Sequence, residues 1–410
     1  MRKLTVKNFS VIKDAELEFG KITVLIGPEA SGKSLLCKLA YFLGREIITN
    51  ADGRIRTGGP GSEYSAFERS IRKEFEEWFP KEGWGNQNWS ISFQSQGYEV
   101  AIAPGKSLAD EISIVFCNEF HTAYSKSLTY TYPNSEYFPA YLLRGLAGQG
   151  VWDRATFIPS ERTYFVDTGK DYKALVSDPE PLVRSFALLY SNARDPRVPK
   201  PRMQKCLRGR LEQGDDEWKF AFEDGRSISL SNLSSGSKEL LPLFCVLEMY
   251  EHQRPATKAQ INGGLASEDS YRFDDFYIEE PEGHIFPETQ REIVKYFAEL
   301  TNSTELHARI TVTTHSPYIL TAFNTLIEAW RVGNKEGKHE QVAAIIPEQY
   351  WVSENDFAAY SIRHGVLTSI FSKEEDGKEG SGLIDGDFLD SVSDQLGSEF
   401  DKLLDIEYAN

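Results

Sequence analysis

Eight residues constrain this chain more than any others: Gly27-Pro28-Glu29-Ala30-Ser31-Gly32-Lys33-Ser34. They satisfy G-x-x-x-x-G-K-[ST] at every specified position. The continuous apolar run Ile22 to Ile26 before them predicts a buried strand, and Ser34 to Leu43 after them predicts a helix. Glycines let such a loop curl until its backbone N–H groups face phosphate oxygens, and the helix N-terminus adds partial positive charge. Lys33 is expected to reach the β- and γ-phosphates of a nucleoside triphosphate and Ser34 to hold Mg²⁺, with the binding run extending to Leu35. A ligand-free strand–helix turn has no need of Lys-Ser directly after Gly32.

Three later motifs fit the same site. Phe276-Tyr277-Ile278-Glu279-Glu280-Pro281-Glu282 reads as a buried strand ending in adjacent carboxylates, which are costly to bury unless a cation or water meets them. Glu279 is expected near the metal, and Glu280 is placed to polarise an attacking water. Leu233-Ser234-Ser235-Gly236-Ser237-Lys238-Glu239 opens a helix and, taken alone, is a serine-rich N-cap. Thr313-Thr314-His315-Ser316-Pro317 closes a strand, where ligands bind in α/β sheets.

In this order the four motifs resemble the ABC-type, AAA-family ATPase heads of SMC proteins, RecF and OLD-type ATPases; Lys7-Asn8-Phe9 and Lys21 to Gly27 resemble their first strands. The resemblance covers about residues 1–45 and 228–370. It implies an α/β P-loop fold with an N-terminal antiparallel β element and a compact, mainly helical insertion, without a long coiled coil. It implies ATP and Mg²⁺ as ligands, with Ser34 and Glu279 at the metal and Glu280, His315 and Lys33 as catalytic groups. Ser234, Ser235, Gly236 and Ser237 would match the signature loop, which grips the γ-phosphate held by a second subunit. His315 would be the switch histidine, and Pro281 to Phe286 the loop that touches the partner's site. For the family's Q-loop glutamine, Gln94, Gln96 and Gln149 stay open. Two departures stand out: Glu279 replaces an aspartate usual in transporters, and Ser235 and Ser237 replace the usual glycine and glutamine of the signature.

The expected organisation is a discontinuous ATPase core, 1–45 and 228–370, an inserted lobe, 46–227, and an acidic linker and helix, 371–410. Within the insertion, Ala66 to Phe79 predicts a helix, Trp89 to Phe93 with Tyr98 to Ile102 a hairpin, Leu108 to Ser125 a further helix, and 191–202 a proline-rich loop. Ser237 to Tyr250 predicts a helix in which Pro242 should lie in or near the first turn. No span is long enough for a bilayer and no signal peptide is evident, so a cytoplasmic protein is expected. Four well-separated cysteines suggest neither a zinc knuckle nor a disulfide framework.

The net charge of −17 repels nucleic acid on average. The exception is Arg194 to Arg210, where seven basic residues meet one acid, Asp195; this reads as a nucleic-acid or acidic-partner patch, or equally as a solvated loop. Asp385-Gly386-Asp387 reads as a turn and helix start, so no nuclease activity is expected. A stand-alone ATPase of this kind resembles the ATPase subunits of bacterial anti-phage systems such as PARIS and Ptu. That implies a homodimer joined through its ATP sites, sensing on behalf of a separate nuclease or toxin. The segment Phe157-Ile158-Pro159-Ser160-Glu161-Arg162 also resembles an element of these ATPases. The alternative is a RecF-like DNA-repair ATPase that binds DNA directly.

Overall fold

The computed structural model describes residues 2–47, 63–85, 88–95, 98–107, 110–130, 142, 152–167, 181–214, 217–260, 271–304, 306–371, 382–384, 398 and 402. The motif Asp385-Gly386-Asp387, the acidic linker and nearly all of the final helix expected from sequence lie outside them.

The chain begins with two paired antiparallel strands, β1 (Lys3–Phe9) and β2 (Ile12–Glu18), whose alternating Leu4, Val6, Ala15 and Leu17 are buried. β3 (Ile22–Ile26) is buried along its whole length and leads through the glycine loop into α1 (Lys33–Tyr41). Next come α2 (Glu63–Trp78) and an antiparallel meander of β4 (Ser90–Ser95), β5 (Tyr98–Ser107) and β6 (Asp110–Phe116). They are followed by α3 (Asn118–Tyr130), β7 (Trp152–Ile158), α4 (Thr163–Asp167), α5 (Pro181–Ala193) and α6 (Pro201–Leu207). A small second sheet holds β8 (Gly209–Gln213), β9 (Trp218–Phe222) and β10 (Ser227–Ser229). The chain continues with α7 (Ser235–Gln260), β11 (Tyr271–Glu279), α8 (Pro287–Asn302), β12 (Ala308–Thr314), α9 (Pro317–Gly333), α10 (His339–Ala343), β13 (Phe357–Arg363) and β14 (Val366–Ser369).

One sheet of eleven strands, ordered β6-β5-β4-β1-β2-β14-β13-β3-β12-β11-β7, organises the whole. Its half from β13 to β7 is parallel; its other half, β6 to β2, is antiparallel. Alternate residues of the parallel strands feed two cores. Val24, Ile158, Ile278 and Val312 face α5 to α9, whereas Leu25, Phe157 and Tyr277 face α1 and the aromatic layer of α2, α3 and the meander. In that layer Phe9 meets Phe75, Phe79 and Trp89, and Phe42 meets Phe75 and Phe79, edge-to-face or tilted, an arrangement ring quadrupoles favour, while Phe75 and Trp89 stack.

The stretch 46–227, expected as an inserted lobe, enters both halves of the sheet: its meander extends the antiparallel half, and its β7 forms the edge of the parallel half. Three local expectations are corrected. The helix expected over Leu108 to Ser125 is strand β6 followed by α3, because Ile112, Ile114 and Phe116 alternate with period two and are buried in one core. The loop expected over 191–202 is present over 194–200, and only its ends are helical, 191–193 closing α5 and 201–202 opening α6. Pro242 lies well inside α7, beyond the first turn, where burial of Leu240, Leu241, Leu243 and Phe244 holds a helix that propensity alone would break. Among the described residues no helix is long and apolar enough to cross a membrane.

Candidate nucleotide site

Four neighbouring parallel strands, β3, β12, β11 and β7, deliver their carboxyl ends to one edge of the sheet, where α/β folds bind ligands. β3 supplies the glycine loop, β11 supplies Glu279 and Glu280, β12 supplies Thr313 to His315, and β7 supplies Ser160 to Arg162.

The loop turns through Ala30 and Gly32 at positive φ, 54° and 105°. A Cβ on Gly32 would also stand 2.4 Å from Ile12 Cδ1, so glycine is required there twice over. Lys33 is 5 % exposed, and its ammonium donates to Gly27 O at 2.8 Å and Pro28 O at 2.9 Å. Burial pushes its pKa down, against the pull of Glu280, Glu29 and Glu282.

His315 joins two motifs. Its Nε2 lies 3.1 Å from Lys33 Nζ and 3.2 Å from Glu280 Oε1. An ammonium only donates and a carboxylate only accepts, so a bare Nε2 serves Lys33 and a protonated one serves Glu280, never both. The histidine backbone is fixed independently: its N–H and Thr314 Oγ1 both donate to Glu282 Oε1 at 2.7 Å. Ser316 then caps α9 by accepting from the Tyr318 N–H, with Pro317 in the first turn. Glu280 has φ 42°, a left-handed backbone costing about 1–3 kcal/mol in a non-glycine residue. Its N–H donates to Thr313 O at 2.9 Å and its carbonyl accepts from Arg162 Nη2 at 2.7 Å, and these bonds hold the conformation.

Glu279 is 3 % exposed. Oε2 accepts from the Ser160 N–H at 3.3 Å, whereas Oε1 is buried without a hydrogen-bond partner. Burial raises its pKa, and the nearby Ser34 hydroxyl and the charge of Lys38 act the other way. An orphaned carboxylate oxygen beside a serine hydroxyl fits a Mg²⁺ site, since that ion takes few protein ligands and keeps several waters.

The signature segment is not hydrogen-bonded to the glycine loop. Ser234 Oγ caps α7, accepting from the Ser237 N–H at 3.2 Å and pairing with Ser237 Oγ at 2.9 Å; Ser234 and Ser235 are exposed. Gly236 lies against the turn after β11, where a Cβ would stand 2.8 Å from His284 O. Glu239, one turn on, reaches His284 Nδ1 at 3.4 Å and Arg162 Nη2 at 3.1 Å.

Sequence reasoning missed Ser160 and Arg162. Of the three glutamines left open, Gln94 lies exposed in β4 opposite Lys3, in the antiparallel half of the sheet; Gln96 and Gln149 lie outside the described residues. The loop beside β11 is Pro159 to Arg162 instead. The available signal was the Phe157-to-Arg162 segment, which leaves an apolar strand through a proline into polar residues.

The basic segment is divided: Arg194, Lys200 and Arg202 are tied into the fold, whereas Arg197, Lys205, Arg208 and Arg210 are exposed. Arg194 is buried between the rings of Tyr190 and Trp218, and Lys200 is buried with its ammonium on the carbonyls of Asp195 and Val198. Arg197 pairs with Asp195, Arg210 with Glu212, and Arg202 with Glu299 while lying over the Tyr296 ring. Lys205 and Arg208 are exposed.

Residues 193–320 match the family model of an AAA ATPase domain. The matched stretch takes in the signature segment, the β11 carboxylates and His315, so this part of the chain is similar to such a domain. Among solved structures the chain is similar to the SMC head domain of Thermotoga maritima (13 % identity, TM-score 0.38, covering 90 % of this chain and 97 % of that one). It is similar also to the Smc head domain of Pyrococcus furiosus bound to the C-terminal domain of ScpA (12 %, 0.39, 90 % and 96 %). A third is the recombination mediator protein RecF of the RecFOR pathway (11 %, 0.36, 90 % and 97 %). No curated protein matches in sequence.

Proposed function

We propose that this chain binds ATP with Mg²⁺ and hydrolyses it to ADP and phosphate, as a head-to-tail homodimer in the cytoplasm that senses on behalf of a separate effector in anti-phage defence. One observation carries the chemical part: Lys33, His315 and Glu280 form a contact chain beside the orphaned Glu279 oxygen and Ser34. In this reading Gly27 to Leu35 cradle the phosphates, with Lys33 leaving the loop carbonyls for the β- and γ-phosphates. Ser34 and Glu279 would hold Mg²⁺, which supplies charge neutralisation at the phosphates. Glu280 accepts the proton of the attacking water. His315 reports on the γ-phosphate by exchanging its Nε2 partner between Lys33 and Glu280.

The dimer rests on the signature segment. Ser234, Ser235, Gly236 and Ser237 stand at a solvent-facing helix N-terminus, an arrangement suited to an anion presented by a second subunit. The core is read as 1–45 with 228–370, to which 46–227 contributes strand β7. The effector role, with no nuclease activity in this chain, rests on the motif resemblance. No observation favours the DNA-repair alternative, since most of the basic segment's charges are met within the chain.

Nucleotide titration of the wild type and Lys33→Ala tests the reading. Saturable Mg²⁺-dependent ATP binding, lost in the variant, is expected; equal affinity in both removes the claim.

A further inference from the structure

Arg162 is 0 % exposed and closes the short loop after β7, yet no step above uses its side chain on a ligand. A buried arginine is retained only where its five N–H donors find acceptors. Here all five do. Nε donates to Glu239 O at 3.1 Å, and Nη1 donates to Pro159 O at 2.9 Å and Glu279 O at 2.6 Å. Nη2 donates to Glu280 O at 2.7 Å and stands 3.1 Å from Glu239 Oε2, an ion pair out of hydrogen-bond alignment. One planar group thus clamps the carbonyls of Glu279 and Glu280, at and just past the end of β11, and that of Glu239 near the start of α7.

The second contact between these elements runs through the same acid. Glu239 Oε1 faces His284 Nδ1, His284 has φ 54°, and its carbonyl lies against Gly236. The turn after β11, the signature segment and Arg162 therefore share one set of atoms centred on Glu239.

We propose that Arg162 is a positioning residue that locks the Glu279–Glu280 backbone to the start of α7, so that nucleotide in the P-loop site sets the orientation of Ser234 to Gly236 at the partner-facing tip. The inference rests on the nucleotide-site reading above. Any shift of Glu280 that accompanies a change of His315 partner moves a carbonyl bonded to Nη2. The rigid guanidinium passes that movement to the Glu239 carbonyl and carboxylate. A lysine at 162 keeps the charge but not the fork, and reaches fewer of these acceptors at once.

The test is hydrogen exchange at 234–240, with and without a non-hydrolysable ATP analogue, in the full-length wild type, Arg162→Lys and Glu239→Gln. Analogue affinity is measured on the same samples. In the wild type the analogue should slow exchange at 234–240. In both variants affinity should stay within about twofold, since neither side chain faces the phosphates, while turnover falls about 10- to 100-fold, as for a displaced catalytic group. The analogue-dependent change at 234–240 should be lost. A side chain that served stability alone would alter exchange equally with and without the analogue. A full analogue response in the variants, or none in the wild type, overturns the proposal. If Arg162→Lys does not fold, Glu239→Gln decides alone. Absence of nucleotide binding in the wild type overturns the nucleotide-site reading itself, and is told apart by the affinity measurement.

Discussion

The sheet edge around Lys33 and the segment from Arg194 to Arg210 are both dense in charge, and they spend it in different ways. At the sheet edge Glu279 and Glu282 each keep a buried carboxylate oxygen without a partner, Ser31 keeps its hydroxyl so, and His315 faces two groups it cannot serve together. In the basic segment Arg197, Lys200, Arg202 and Arg210 are met by carboxylates or carbonyls of the same chain, and Arg194 by aromatic rings. Both regions keep buried atoms without partners, Arg194 Nε and Nη1 and Glu299 Oε2 in the basic one. What sets the sheet edge apart is that its unpartnered carboxylate oxygens belong to the motifs that also place one histidine between two groups. A buried polar group left short of partners has a stability cost, which a bound ligand, an ion or an ordered water can offset.

Glu280→Gln presses hardest on this contrast. It should keep ATP affinity and lower turnover by about 10²- to 10⁴-fold, the usual contribution of a positioned base; unchanged steady-state turnover would demote Glu280 to a structural role. Lys33→Ala comes next, with a loss of about 100-fold in ATP affinity, as for a charge-assisted contact. It is read by titration, and a loss under about threefold would mean that the loop amides alone hold the phosphates.

On the other side of the comparison, Arg202→Glu should destabilise the fold by about 1–3 kcal/mol, because it removes the Glu299 pair and the Tyr296 contact and sets like charges together. Lys205→Glu, on an exposed site, should stay within about 0.5 kcal/mol. Denaturant unfolding measures both. Equal stability in the two, joined to an equal loss of DNA binding, would restore the segment as a nucleic-acid surface.

The smallest effect concerns Glu248, which accepts the first N–H groups of α6 from Arg202 and Met203 at 2.7 and 3.1 Å. Burial raises its pKa from 4.5 to about 7. The folded state therefore binds this proton more tightly than the unfolded one. Its contribution to stability is full below about pH 4.5 and is lost as pH rises through about 7. Glu248→Gln should remove that slope, so the stability advantage of the wild type over the variant should shrink between about pH 5 and about pH 8. An unchanged difference across that range would show that the carboxylate does not titrate there.

What the sequence disclosed follows from how each feature is encoded. The glycine loop, the carboxylates at the end of β11 and the Thr-Thr-His-Ser-Pro run are each contiguous, and apolar runs such as Ile22 to Ile26 and Phe276 to Ile278 precede the first two, so both motif and placement were legible. Arg162 was not, because four backbone carbonyls from three places in the chain define its role and carbonyls carry no side-chain code. The basic segment misled because sequence counts charges without their partners: Glu299 is far along the chain from Arg202, and Trp218 lies in another element than Arg194. Pro242 and the strand after Leu108 show tertiary packing overriding local preference.

The central claim is that two copies of this chain close on ATP. Light scattering on Glu280→Gln with saturating ATP and Mg²⁺ tests it most directly, because slowed hydrolysis should leave the closed state populated. The account predicts a mass double that of the monomer, reverting on removal of nucleotide and absent when Lys33→Ala is added. A protein that binds ATP at saturation yet stays at monomer mass would contradict it.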